Sequence, residues 1–243
     1  MNYAIILAAG VGQRMRNGGL PKQFLKLMGK PIVIYTLEKF EQCEEIDQVI
    51  IVCHGSYIEQ MSGLLDLYQI RKAVKVIVGG NDRQSSLKRG LDTIQEMGGK
   101  SEDIVVIHDG VRPLVSTAVI AENIRVARKY GCAITVHQVA ESVVITAAEG
   151  ATMDNFQKRA DTYSMTAPQT FKLEGISEAY ERIGQMDDGE IPLLDAAMVY
   201  AKCGGTVHLV KEQGANIKIT TPEDYYFLKA MLELEENKFV FGL

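Results

Sequence analysis

The strongest constraint on this chain is an alternation of short, continuous apolar runs with stretches of helical periodicity. The runs are Ala4–Leu7, Val49–Cys53, Val74–Val78, Ile104–Ile107, Ala133–Val136 and Val207–Val210. None alternates apolar with polar residues, so each predicts a strand buried on both faces of a parallel sheet. Between them, Val33, Leu37 and Phe40 fall on one helical face, as do Met61, Leu64, Leu65 and Tyr68. Leu87, Leu91 and Ile94 repeat the pattern, followed by Ile120, Ile124 and Ala127. Strands alternating with helices specify βαβ units and a wound, mostly parallel sheet. The length of 243 residues suits one large α/β unit over 1–243.

The rhythm breaks after Val139. Residues 140–165 hold a short apolar run at Val143, Val144 and Ile145, a turn around Gly150, and a polar stretch to Arg159. This predicts a β-hairpin or arm leaving the sheet. Helices are expected near Leu173–Ile183 and Leu193–Lys202. The last helix is expected to open at Thr221-Pro222-Glu223-Asp224, where Thr221 can cap, Pro222 suits the first turn and the acids suit the positive helix end.

Charge and cysteine usage narrow the function. A formal net charge of −5 gives no general attraction to nucleic acid, so phosphate chemistry must rest on local basic groups. Cys43, Cys53, Cys132 and Cys203 lack the spacing of a zinc ribbon or a redox Cys-x-x-Cys pair. They are expected to be free thiols in a reducing compartment. The first apolar run, Tyr3 to Ala9, is too short for a leader or a membrane span, so the expectation is a soluble, cytoplasmic protein with no membrane partner.

Four segments can carry chemistry. In Leu7-Ala8-Ala9-Gly10-Val11-Gly12-Gln13-Arg14-Met15 the glycines permit a tight turn whose amides can cradle phosphate. Arg14 adds a forked cation, and Pro21-Lys22-Gln23 adds a compact one. The same residues also suit an ordinary βα turn. A dinucleotide fingerprint is excluded because Met15 stands where its third glycine belongs, and Val52-Cys53-His54 ends the second strand without an acid. No Walker string occurs.

The second segment, Ile107-His108-Asp109-Gly110-Val111-Arg112-Pro113, follows a buried strand at the carboxyl end of the sheet, where ligands bind in wound folds. Asp109 can hold Mg²⁺ or cap the next turn. Arg112 is read as a structural salt bridge, and His108 as a packing residue. The third, Gly79-Gly80-Asn81-Asp82-Arg83-Gln84-Ser85-Ser86, can offer Gly80, Asn81 and Ser86 to a base edge, or serve as a polar turn into a helix. In the fourth, Lys218 lies between Ile217 and Ile219 on an expected strand, so it points away from them, into solvent or into a cleft.

Together these strings resemble one family. Leu-Ala-Ala-Gly-x-Gly-x-Arg-Met, Pro-Lys-Gln-Phe, Gly-Gly-x-x-Arg-x-x-Ser, His-Asp-Gly-x-Arg-Pro, Ala-Pro-Gln-Thr-Phe and Asn-Ile-Lys-Ile-Thr-Thr-Pro-Glu-Asp occur in the order known for cytidylyltransferases of the methylerythritol phosphate and ribitol phosphate type. The likeness runs from Ala4 to about Met231. It implies a Rossmann-like sheet with a protruding β-arm used for homodimerisation. It implies CTP, a polyol phosphate and Mg²⁺ as the reacting set. By position, Ala8, Ala9 and Gly10 would line the nucleotide pocket, with Arg14 and Lys22 on the triphosphate. Gly80, Asn81 and Ser86 would hold the cytosine, Asp109 would face Mg²⁺ and the phosphates, and Lys218 would steady charge at the α-phosphate. Arg159 and Ser142, on the arm, would bind the acceptor of the partner subunit.

The acceptor side departs from the methylerythritol pattern. Ala167 and Leu194 stand where that pattern has threonine, and Ala215 where it often has aspartate. Asn81 replaces a more usual aspartate. Loss of hydroxyl and carboxylate groups changes which acceptor hydroxyls can be paired. The expected acceptor is therefore a pentitol phosphate such as ribitol 5-phosphate. Methylerythritol 4-phosphate is the alternative, and a non-catalytic nucleotide-binding regulator is the alternative of another class.

Overall fold

A computed structural model describes residues 1–10, 20–147, 150–185 and 195–241. Its strands are β1 (Asn2–Ala8), β2 (Lys26–Leu27), β3 (Lys30–Pro31), β4 (Gln48–Cys53), β5 (Ala73–Val78) and β6 (Ile104–Asp109), then β7 (Cys132–Gln138), β8 (Val143–Thr146), β9 (Met153–Gln157), β10 (Tyr163–Lys172) and β11 (Leu209–Lys211). The helices are α1 (Ile32–Gln42), α2 (Ile58–Leu67), α3 (Arg83–Glu96), α4 (Thr117–Tyr130), α5 (Leu173–Ile183), α6 (Ala196–Lys202) and α7 (Pro222–Phe241).

Seven strands form one sheet in the order β11-β7-β10-β6-β1-β4-β5. β1 pairs in parallel with β4 and β6, β4 with β5, and β11 with β7. The mostly parallel wound sheet expected from the apolar runs is therefore present. The centre behaves as a doubly covered sheet should: every residue of β6 is buried. One core layer packs Ile6, Ile51 and Val106 against Leu37, Phe40 and Ile124. The opposite layer packs Ile5, Ile50 and Ile107 against Leu91, Ile94 and Ile176.

Two expectations change at the edges. β5 closes one end of the sheet, and its Val74 and Val78 are exposed, so a continuous apolar run here does not mean burial on both faces. β11 closes the other end and is shorter than its run. The larger departure is β10, which enters the sheet antiparallel to both β6 and β7. Pro168 sits within it, at a register shift between Met165 and Gln169, where a missing amide breaks the ladder least. Gln169 and Thr170 are buried in this strand, and the Ala197 amide donates to Gln169 Oε1 at 3.1 Å.

The expected arm is a hairpin of β8 and β9, paired antiparallel and separate from the main sheet. Its reach is shorter than 140–165, because residues from Tyr163 belong to β10. Local capping explains several helix starts. The Asp82 side chain accepts from the Ser85 amide at 2.7 Å while Ser85 Oγ accepts from the Asp82 amide, which fixes the first turn of α3. Asp224 accepts from the amides of Thr220 and Thr221 at 2.8 Å and so fixes the start of α7 from inside the helix. Ala196 opens α6 after the cap Asp195; Leu193 and Leu194 lie outside the described residues. No described helix is long and apolar enough to cross a membrane.

Candidate active site

The carboxyl ends of β1 and β6 and the loop after β5 meet at a cavity of about 560 Å³. Ala8, Ala9 and Gly10 line it from β1, and Gly80, Asn81 and Ser86 from the loop before α3. Lys22, Asp109 and Lys218 line it too, so nine of the expected residues, from four separate segments, share one cavity. Arg14 lies outside the described residues.

The loops are held in place by close packing. A Cβ on Gly79 would stand 2.5 Å from the Cβ of Ala9, so only glycine lets the two loops touch. The Gly80 amide donates to Ser86 Oγ at 3.0 Å, which ties the loop to the first turn of α3. Gln23, buried in a short 3-10 turn, donates to the carbonyls of Ala8 at 2.6 Å and Gly10 at 3.0 Å. The Pro-Lys-Gln-Phe string thus carries a second role beside Lys22: its glutamine pins the end of the glycine-rich segment.

The centre of the cavity is charged. Asp109 is 5% exposed and both its oxygens are engaged. Arg83 Nη1 donates to Oδ1 at 2.6 Å. Arg112 Nε donates to Oδ2 at 3.0 Å, and Lys218 Nζ lies 3.1 Å from the same oxygen. Burial alone would raise the Asp109 pKa, but the charges of Arg83, Lys218 and Arg112 override it and hold the carboxyl well below the usual range. Burial pulls the Lys218 pKa down, and Asp109 pushes it back up. The net effect lowers the Lys218 pKa, because burial and the neighbouring Arg83 and Arg112 outweigh Asp109.

Lys218 is not on a regular strand; residues 215–220 run as a loop. The alternation still decides its direction, with Ile219 buried against α7 and β2 and Lys218 turned to Asp109. Arg112 acts as the loop anchor, since its Nη1 also donates to the Asn216 carbonyl at 2.9 Å. His108 is fully buried against Phe40, donates from Nε2 to the Arg112 carbonyl at 3.1 Å, and has its pKa lowered by burial to about 4. It packs and is no base at neutral pH.

Arg83 went unassigned in the sequence although it stands in the Gly-Gly-x-x-Arg-x-x-Ser string. Its position just after the Asp82 cap was the available signal, because first-turn residues of α3 face the strand ends. Ser142 and Arg159 lie elsewhere, exposed at the base of the hairpin, and neither lines the cavity of this chain. A second cavity of about 640 Å³ adjoins the first. Arg112, His137, Glu212, Ala215 and Asn216 are among its lining residues, and among the described residues Lys218 is the one that lines both cavities.

The family described as IspD, 2-C-methyl-D-erythritol 4-phosphate cytidylyltransferase, matches residues 2–234. The chain is similar to a ribitol-5-phosphate cytidylyltransferase of Vibrio parahaemolyticus, 39% identical over 242 residues and covering both chains in full. A protein of the same name from Streptococcus agalactiae is 34% identical over 243 residues, again covering both in full. Among solved structures, the 4-diphosphocytidyl-2C-methyl-D-erythritol synthase of Anaerococcus prevotii superposes with a TM-score of 0.81 at 26% identity, covering 96% of each chain. The Francisella tularensis 2-C-methyl-D-erythritol 4-phosphate cytidylyltransferase gives 0.72 at 25% identity, covering 93% of this chain and 97% of that one. With its fold, its charged cavity and a match over nearly its whole length in agreement, this chain belongs to the IspD family and is a nucleotidyltransferase of the cytidylyltransferase class.

Proposed function

We propose that this enzyme transfers CMP from CTP to a pentitol phosphate, with ribitol 5-phosphate as the acceptor, releasing pyrophosphate. One observation carries the reading: Lys218 lines both cavities. A nucleotide in the first and a phosphate-bearing acceptor in the second meet at that cation. The full-length relatives named for ribitol 5-phosphate support the choice of acceptor. So does Ala215, which lines the second cavity without the carboxylate that the methylerythritol pattern often has there.

The chemistry follows from charge. A phosphate monoester is already an anion at neutral pH, so its oxygen attacks the α-phosphorus of CTP in line without a strong base. Repulsion between anions and charge on the departing pyrophosphate make the barrier. Arg14 and Lys22 neutralise the triphosphate, and Lys218, paired with Asp109 at 3.1 Å, faces the attacked phosphorus. Gly80, Asn81 and Ser86 hold the base, with Ala8, Ala9 and Gly10 against the nucleotide.

Mg²⁺ fits this donor set. The ion takes one or two carboxylates and completes its shell with phosphate oxygen and water. Asp109 is an ionised carboxylate in the cavity, and among the described residues no cluster of three or more His, Cys, Asp or Glu could cage a metal without substrate. Asp109, whose oxygens are taken by Arg83, Arg112 and Lys218, would hold the ion in exchange for one of these contacts, and the bound ion would supply charge neutralisation to the phosphates.

The arm completes the acceptor site of a second copy in a homodimer, through Arg159 and Ser142. Exposed Val144, Ile145, Met153 and Phe156 on a two-stranded ribbon support a partner there. Four free thiols support a cytoplasmic setting.

Pyrophosphate release is the test, measured with CTP, UTP, ATP and GTP against a panel of polyol phosphates. Selective turnover of CTP with ribitol 5-phosphate is expected. Clear preference for methylerythritol 4-phosphate would overturn the acceptor, and nucleotide binding without release would point to a regulator.

A further inference from the structure

We infer that Glu212 is a specificity-determining residue, whose carboxylate accepts hydrogen bonds from hydroxyls of the acceptor. This rests on the polyol-phosphate reading above. Glu212 belongs to none of the family strings and follows the end of β11 directly. It is 7% exposed, yet it lines the second cavity.

Its placement is built. The Asn216 side chain donates to Glu212 Oε2 at 2.9 Å and also to the Ala167 carbonyl. Asn216 is itself held at its carbonyl by Arg112. One carboxylate oxygen is thereby fixed. Oε1 is not among the buried unpartnered atoms, nor does it take a hydrogen bond from any described residue, so it is left to what the cavity holds. Burial pushes the carboxyl above its ordinary range, and the Asn216 hydrogen bond works against that. Holding a carboxylate here costs stability unless a ligand donates to it.

The charge gradient sets what that ligand presents. Lys218, with Arg112 beside it, forms the end shared with the nucleotide cavity, so the acceptor phosphate belongs there. Glu212 lines the second cavity and not the nucleotide cavity. A carboxylate repels phosphate and accepts from hydroxyls. The cavity therefore reads a molecule with an anion at one end and hydroxyls at the other. Ala215 supplies no side-chain oxygen beside Asn216, and Glu212 is the acidic residue among the described lining residues.

The test compares wild type with Glu212→Gln, using whichever polyol phosphate the wild-type enzyme turns over best. Glutamine keeps the shape and can still accept from Asn216. The acceptor kcat/KM should fall roughly ten- to hundredfold, the range for losing a hydrogen bond to a charged group, while the KM for CTP and the unfolding midpoint stay unchanged. An acceptor lacking its terminal hydroxyl should lose a similar factor on wild type and little more on the variant. Unchanged acceptor kinetics, or equal losses for CTP and acceptor, would overturn the assignment. A wild-type preference for another polyol phosphate would remove the pentitol reading alone, since the Glu212 comparison is then made on that acceptor.

Discussion

Lys218 Nζ lies 3.1 Å from Asp109 Oδ2, and the two residues come from distant segments that meet at the carboxyl end of the sheet. The lysine is about one-third exposed, while the aspartate is almost wholly covered. Asp109→Asn removes the only negative charge of this contact and leaves Arg83, Arg112 and Lys218 facing one another. Loss of a fully buried partner costs about 3–5 kcal/mol. With Arg83 and Lys218 partly in water, a loss of roughly 2 kcal/mol is expected here. Denaturant unfolding at neutral pH measures it, and an unchanged midpoint would show that the carboxylate is not balancing these cations.

Turnover depends on the cations themselves. Lys22→Ala, Lys218→Ala and Arg14→Ala should each lower kcat by on the order of 10²–10³ while the far-UV spectrum is kept, as for other preorganised electrostatic groups. Near-normal activity in all three purified variants would sink the site assignment.

Gln23 should act through the glycine-rich segment. Gln23→Ala releases the carbonyls of Ala8 and Gly10 from their shared donor. Leaving the buried Ala8 carbonyl unpaired costs about 1–3 kcal/mol. A raised KM for CTP with little change in the acceptor KM is the expected kinetic signature, read from initial-rate surfaces.

His108 gives a pH signature. Burial lowers its pKa from 6.5 to about 4 in the folded protein. Between those values the unfolded chain binds a proton that the folded one refuses, so stability falls as pH falls through this window. At about 1.4 kcal/mol per pH unit the loss is roughly 3 kcal/mol. His108→Gln should flatten this part of the stability profile in chemical denaturation at successive pH values; an equally steep profile would place the titration elsewhere.

The arm is tested by mixing two inactive variants. Arg159→Ala keeps Lys218, and Lys218→Ala keeps Arg159. If the arm serves the partner's site, unfolding and refolding the two together should restore about a quarter of the sites, those in which each copy supplies what the other lacks. No recovery would place Arg159 in its own subunit's site or outside the reaction.

The first cavity was legible because its signals are local. A buried strand, a turn with glycines and a nearby cation each leave a mark within a few residues, and Ala8, Gly80, Asp109 and Lys22 do line one cavity. What escaped depends on partners distant in sequence. β10 reads as irregular because Pro168, Gln169 and Thr170 look wrong for a buried strand; the Ala197 amide that satisfies Gln169 comes from α6. Edge position hid the exposure of Val74 and Val78, since an apolar run reports composition and not neighbours. Glu212 carried no signal at all, because its meaning comes from Asn216 and from the cavity that both residues line.

The antiparallel course of β10 also fixes an order of assembly. β6, β1, β4 and β5 pair only with one another on their side of the sheet, and all are complete by Asp109. β7 has no partner in that group; it joins through β10, which ends at Lys172, and β11 joins through β7. A chain emerging from its amino end therefore finishes first the strands whose loops line the first cavity. The second group waits for β10 to slot between β6 and β7. The junction lysine, beyond β11, arrives after both, so a nascent chain holds the strands around its first cavity before it holds the residue that joins the two cavities.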